Sequence, residues 1–130
     1  MQLKCPRGHT RRKHGLQGRS SLRMRALGDS SRYLWLKLPY CESYELVARA
    51  TTLPILLLGG ESAGDPSGFL REVAAGMAAG ANVRGALVGR NVLYPGDDDP
   101  LAVAEAVGAI IHQGWTVDQA VRSKLDRRHW

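Results

Sequence analysis

Three short apolar runs separated by helical stretches constrain the fold of this chain more than any other feature. The runs are YLWLKL (33–38), PILLLGG (54–60) and VRGALVG (83–89), and each has the length of a single β-strand. Strands that alternate with helices form parallel sheets with right-handed crossovers. The pattern therefore predicts an α/β fold in which the loops that follow the strands all lie at one edge of the sheet.

Capping residues mark the starts of three helices. Asp65-Pro66 and Asp99-Pro100 each place an N-cap carboxylate before a proline that suits the first helical position. Thr116 and Gln119 have the spacing of a capping box for a last helix. The apolar residues expected on the buried faces are Tyr44, Val47 and Ala48, then Phe69, Val73 and Met77, and then Val103, Val107, Ile110 and Ile111.

The charge of the chain is unevenly distributed. The net charge is +6 over 130 residues, yet residues 1–32 hold nine Lys/Arg against Asp29 alone, so the remainder is slightly acidic. We therefore predict two segments: residues 1–28, basic and either disordered or unrelated to the rest, and residues 29–130, which form the α/β part. No aromatic residue precedes Tyr33 to stack on bases, so we expect no specific nucleic-acid partner.

Cysteine usage and hydropathy indicate the compartment and exclude several kinds of site. Cys5 and Cys41 are too few and too distant to indicate a disulfide framework, and no apolar run reaches the ~18 residues of a membrane span. We expect a cytoplasmic protein without a membrane partner. Cys5, His9 and His14 lie among cations that would repel a metal ion, so neither a metal nor a cofactor is expected.

Lys37 is the candidate nucleophile. It interrupts an otherwise apolar strand, where desolvation would favour the neutral amine that attacks a carbonyl carbon. The alternative, which the local pattern favours slightly, is a lysine near a strand end that reaches water.

Two further features follow the next two strands. Gly59 and Gly60 allow close backbone approach to an anion, although such a pair often forms only a turn. Gly89 and Arg90 could bind a phosphate through the guanidinium group, or Arg90 could serve as a salt-bridge partner. Together the two pairs match the phosphate site that barrels build after strands 7 and 8, so the combination is more specific than either pair.

The segments WLKLPY, LPILLLGGES and ALVGRNVLYPGDDDPLAVAEAVGAIIHQGWTVDQA resemble the end of archaeal-type class I fructose-bisphosphate aldolases of the deoxyribose-phosphate aldolase superfamily, and of related actinobacterial aldolase-like proteins. The resemblance covers roughly residues 29–125. It implies that the three strands are strands 6–8 of a (β/α)8 TIM barrel. It also implies a Schiff base on Lys37, a phosphorylated sugar as substrate, and phosphate binding by Gly59, Gly60, Gly89 and Arg90.

The chain departs from this family in length. A complete barrel needs roughly 250 residues, and strands 1–5, which supply most of the acid and base groups in the family, have no counterpart here. We expect a lyase that is inactive or impaired, or alternatively a noncatalytic barrel fragment, such as a pseudogene product, that retains phosphate binding. Uncovered strand edges favour self-association. For residues 1–28, the hypotheses are out-of-frame translation or a misassigned start.

Overall fold

The computed structural model describes Ser30 and residues 32–125 and shows an α/β fold. Its elements are β1 (Leu36–Pro39), α1 (Tyr44–Arg49), β2 (Ile55–Leu58), α2 (Pro66–Ala78), β3 (Val83–Leu87), α3 (Arg90–Leu93), α4 (Pro100–Gln113) and α5 (Val117–Ala120), followed by a π-helical turn (Val121–Leu125). The predicted alternation of strands and helices is confirmed. The basic segment 1–28, with Cys5, His9 and His14, lies outside the described residues. Within the described part of the chain, no helix is both long and apolar enough to cross a bilayer.

The three strands form one parallel sheet in the order β1-β2-β3. Lys37 pairs with Leu56, and Leu58 pairs with both Pro39 and Leu87, so the carboxyl ends of the strands meet at one edge. One irregularity lies between β2 and β3, where Ile55 pairs with Val83 but Leu56 pairs with Gly85. The parallel sheet with a shared loop edge is therefore confirmed.

Local capping chemistry starts the longer helices as predicted. The Asp65 carboxylate accepts a hydrogen bond from the Ser67 amide at 2.9 Å, and the Asp99 carboxylate accepts one from the Leu101 amide at 3.1 Å. Thr116 starts α5 with both hydrogen bonds of a capping box. These contacts satisfy amides that have no partner in the first helical turn.

The buried apolar residues form two clusters. The first lies between the sheet and α1, and its members are Leu36, Leu38, Cys41, Tyr44, Val47, Ala48, Leu53, Ile55, Leu57 and Val83. The second joins α2 and α4 to the C-terminal helical segment, and its members are Phe69, Leu70, Val73, Val103, Ala106, Val107, Ile110, Ala120 and Leu125. Partly buried Met77 packs against both clusters.

The helix faces follow the predicted apolar spacing with two exceptions, Met77 on α2 and Ile111 on α4, which are only partly buried. Of the residues expected to be buried on α4, Val103, Val107 and Ile110 are at most 6% exposed, whereas Ile111 is half-buried. Ala106 is buried instead, because it lies on the same face of α4 as Val103 and Ile110, and this face packs against α2.

Candidate functional site

The residues predicted for the site lie at or near the carboxyl edge of the sheet. Gly59 and Gly60 follow β2 directly, Gly89 and Arg90 follow β3, and Lys37 lies within β1 two residues before its end. Lys37 pairs with Leu56, so Gly59 lies three positions further along the strand direction. At about 3.3 Å per residue, this offset is roughly 10 Å.

Lys37 is exposed, which agrees with the alternative that the local pattern favoured slightly, a lysine that reaches water, and not with a desolvated lysine. The reason is the pleat of β1. Leu36 and Leu38 point toward the helices and are almost completely buried, so the residue between them points to the opposite face. Leu56, its partner on β2, lies on that same face and is half-buried. The lysine amine therefore stands on an open sheet face.

The loop that follows β2 (residues 59–65, the glycine loop) is bonded to the segment that follows β3 (residues 88–99, the arginine loop). The side-chain amide of Asn91 donates to the carbonyl oxygen of Gly59. The Ser62 hydroxyl donates to the carbonyl oxygen of Tyr94 at 2.6 Å. These contacts join residues 32 positions apart in sequence. They make the two loops one structural unit.

A close backbone approach strengthens this connection. Gly96 has a φ of 83°, and a methyl group added to it would overlap the carbonyl oxygen of Gly64 and lie 2.9 Å from its carbonyl carbon. Gly64 also has a positive φ of 77°, and its amide donates to the Ser62 hydroxyl at 3.2 Å. Only glycine fits at 96, because both the left-handed backbone and the neighbouring carbonyl exclude a side chain.

The hydrogen-bond donors at this edge differ in how accessible they are to an anion. The Gly59 amide donates to the Leu87 carbonyl oxygen at 3.2 Å, so it is already committed to the sheet. Gly60 is exposed with a φ of 70°, and its amide makes no backbone hydrogen bond among the described residues. Arg90 is 54% exposed, and its guanidinium lies 3.6 Å from the carboxylate of Glu61. The Gly60 amide and the Arg90 guanidinium are thus two donors that an anion could reach.

Tyr40, immediately after β1, belongs to the same edge and was not singled out from the sequence. Its ring lies 5.6 Å from that of Tyr44. Partial burial raises the pKa of the Tyr40 phenol, and Cys41 and nearby carboxylates, Glu72 first among them, raise it further. The phenol therefore stays protonated and remains a hydrogen-bond donor at neutral pH.

Sequence reasoning also missed the residues that connect the two loops. Asn91, Ser62 and Glu61 lie within two positions of predicted site residues, but their partners are more than two dozen positions away. The one signal that could have indicated Asn91 is its position directly after Arg90 in the segment that follows the third apolar run. Among residues 30 and 32–125, no three His, Cys, Asp or Glu side chains converge in a way that could hold a metal ion.

The comparisons with known proteins agree with one another. The family described as Cgl0159-like matches residues 12–110, a range that begins within the basic segment. The crystal structure of Cgl0159 from Corynebacterium glutamicum superposes with a TM-score of 0.71 at 34% identity, covering 78% of this chain and 34% of that one. The 2-amino-3,7-dideoxy-D-threo-hept-6-ulosonate synthase 1 of Archaeoglobus fulgidus is 34% identical over 86 residues, which are 66% of this chain and 31% of that enzyme.

These matches confirm the aldolase-like relationship that the residues around Lys37, Gly59 and Arg90 indicate. The chain spans about a third of the length of the relatives it matches. The family match extends over most of the chain, including all three strands and the glycine and arginine loops. The chain belongs to the Cgl0159-like family.

Proposed function

We propose that this chain is the C-terminal part of a TIM-barrel aldolase, with β1, β2 and β3 as barrel strands 6, 7 and 8, and that it acts on a phosphorylated sugar. The observation that carries the proposal is the common edge, because Lys37, the glycine loop and the arginine loop come from three successive parallel strands. Active sites of these barrels form at the carboxyl ends of the strands. The open sheet face that carries Lys37 corresponds to the barrel interior.

Lys37 is the proposed nucleophile. Its neutral amine attacks the carbonyl carbon of the sugar, and the carbonyl oxygen leaves as water to give an imine. The protonated imine accepts the electron pair of the neighbouring carbon–carbon bond when a base removes the proton of the adjacent hydroxyl group, so an aldehyde is released and an enamine remains. Protonation of the enamine and hydrolysis of the imine return the free lysine. A ulosonate contains a ketone, so the relative from Archaeoglobus fulgidus handles a compound of the required carbonyl class.

The substrate phosphate is proposed to lie against Gly59, Gly60, Gly89 and Arg90. The exposed guanidinium supplies charge-assisted hydrogen bonds, and the Gly60 amide supplies a neutral donor from the facing loop. The offset of about 10 Å between the level of Lys37 and that of the loops can be bridged by a lysine side chain together with a bound ketose phosphate. The groups that transfer protons are proposed to come from barrel strands 1–5, as the resemblance implies, so turnover by strands 6–8 alone is absent or impaired.

Borohydride trapping tests the role of Lys37. The full chain is incubated with dihydroxyacetone phosphate and reduced, and the adduct is mapped by mass spectrometry. We expect one adduct on the peptide that contains Lys37, its absence in Lys37→Arg, and its persistence in Lys124→Ala, a control that removes the ion pair with Glu105. An adduct of equal yield in Lys37→Arg would refute the assignment.

A noncatalytic barrel fragment that binds phosphate is the second candidate. The exposure of Lys37 favours it, because the described residues do not enclose this amine in the apolar surroundings that activate a nucleophilic lysine. Phosphate binding without any trapped adduct would identify this function.

Half-buried Leu56 and exposed Leu87 lie on the open sheet face, so we also propose self-association, which sedimentation velocity across a concentration series would detect.

A further inference from the structure

We propose that Asn91 is a positioning residue that aims the Gly60 amide at the substrate phosphate. The inference rests on the proposed phosphate site and names the group that holds that site in shape. Asn91 is only 5% exposed, although the adjacent Arg90 is 54% exposed. The side-chain amide of Asn91 donates to the carbonyl oxygen of Gly59 on the other loop.

Peptide geometry carries the argument from the Gly59 carbonyl to the Gly60 amide. The carbonyl of Gly59 and the N–H of Gly60 belong to the same planar peptide unit, and the described chain contains no cis peptide bond. In a trans peptide these two groups point in opposite directions. When Asn91 holds the Gly59 carbonyl toward the protein, the Gly60 N–H must point away from Asn91, toward the exposed side of the loop.

The other restraints on this peptide are weak. The Gly59 amide is fixed to the sheet through Leu87, but that bond orients the preceding peptide unit. Two successive glycines offer little steric resistance to rotation of the peptide between them. A methyl group added at Gly60 would meet no atom within 4 Å, so packing does not hold the loop there. Asn91 is thus the group that selects one orientation of the Gly59-Gly60 peptide.

Asn82 provides a matched control at the amino-terminal end of β3. Its side-chain amide lies within hydrogen-bonding distance of the carbonyl oxygens of Ala48, Thr51 and Leu53, at 3.0, 2.9 and 3.3 Å. Replacing Asn82 by alanine therefore also removes an asparagine that joins distant segments. It leaves the carboxyl edge unchanged.

The test is an NMR titration of the full chain with inorganic phosphate, following the Gly60 amide resonance, in the wild type, Asn91→Ala and Asn82→Ala. We expect the Gly60 resonance to shift in the wild type, an affinity within about twofold of wild type in Asn82→Ala, and about tenfold weaker binding without the Gly60 shift in Asn91→Ala. If Asn91→Ala does not fold, Asn91→Asp replaces it, because it keeps the shape of the side chain and removes the donor.

The outcomes separate the inference from the function on which it rests. Equal losses of affinity in the Asn91 and Asn82 variants would reduce Asn91 to a structural residue and overturn the inference, while phosphate binding by the wild type would still stand. A wild-type chain that does not respond to phosphate would instead refute the proposed phosphate site, and the positioning role would fall with it.

Discussion

Gly96→Ala tests the packing between the glycine and arginine loops. The substitution adds a methyl group that overlaps the carbonyl oxygen of Gly64, at a residue whose φ is 83°. Left-handed backbone costs an alanine roughly 1–2 kcal/mol. The overlap involves backbone, which cannot move without displacing a loop, so it adds about 1–3 kcal/mol, the usual cost of overpacking. We expect a total loss of about 2–5 kcal/mol in the free energy of unfolding.

Gly114→Ala separates the two contributions. Gly114 has a similar φ of 67° at the end of α4, but a methyl group there would meet no atom within 4 Å. Its replacement should therefore cost only the conformational part, roughly 1–2 kcal/mol. Urea denaturation followed by circular dichroism gives both values, provided that the m-values agree. A loss in Gly96→Ala no larger than that in Gly114→Ala would show that the two loops do not constrain each other.

Two further predictions concern charged groups of the glycine loop and the start of α2. Hydrogen bonds from the Ser67 amide and hydroxyl lower the pKa of Asp65, so its contribution to stability is complete above the ordinary value of 3.8 and disappears as pH falls through the lowered pKa. Unfolding of the wild type and of Asp65→Asn between pH 2 and 6 should show the wild-type advantage shrinking in acid, and a constant difference would contradict it. Glu61→Gln removes the exposed ion pair with Arg90, which is worth at most about 1 kcal/mol. Phosphate affinity should therefore rise by about two- to fivefold at low salt, and by less at high salt. The control Glu105→Gln, which removes the ion pair with Lys124, should leave phosphate affinity unchanged. Equal affinity in wild type and Glu61→Gln would show that this carboxylate does not compete with phosphate.

The elements that the sequence predicted correctly depend on short-range chemistry. Asp65 and Asp99 bond to amides two residues away, and Thr116 bonds to Gln119 three residues away, so the capping residues and their partners are visible together. The strands were recognisable because short apolar runs such as ILLL, which Pro54 and Gly59-Gly60 bound, have the length of a strand that is buried on both faces. The four-residue helix α3 escaped prediction because it spans little more than one turn. A helix this short shows no repeating apolar period in the sequence.

The candidate site was predictable in its location but not in its internal contacts. Parallel strands bring their carboxyl ends together whatever their side chains are, which placed Gly59 and Arg90 at one edge. The bond from Asn91 to Gly59 and the approach of Gly96 to Gly64 depend on the exact path of two loops, which no local pattern encodes. The exposure of Lys37 depends on which sheet face the helices cover, and an apolar strand alone does not reveal that.

Met77 connects the two apolar clusters, and this connection affects how each cluster can open. It packs against both, from a position near the end of α2, while most other members belong to one cluster alone. Methionine is unbranched and adapts to different neighbours, so it transmits less strain than a branched side chain would. The two clusters therefore meet at an adaptable side chain, so one of them can open locally while the other stays packed.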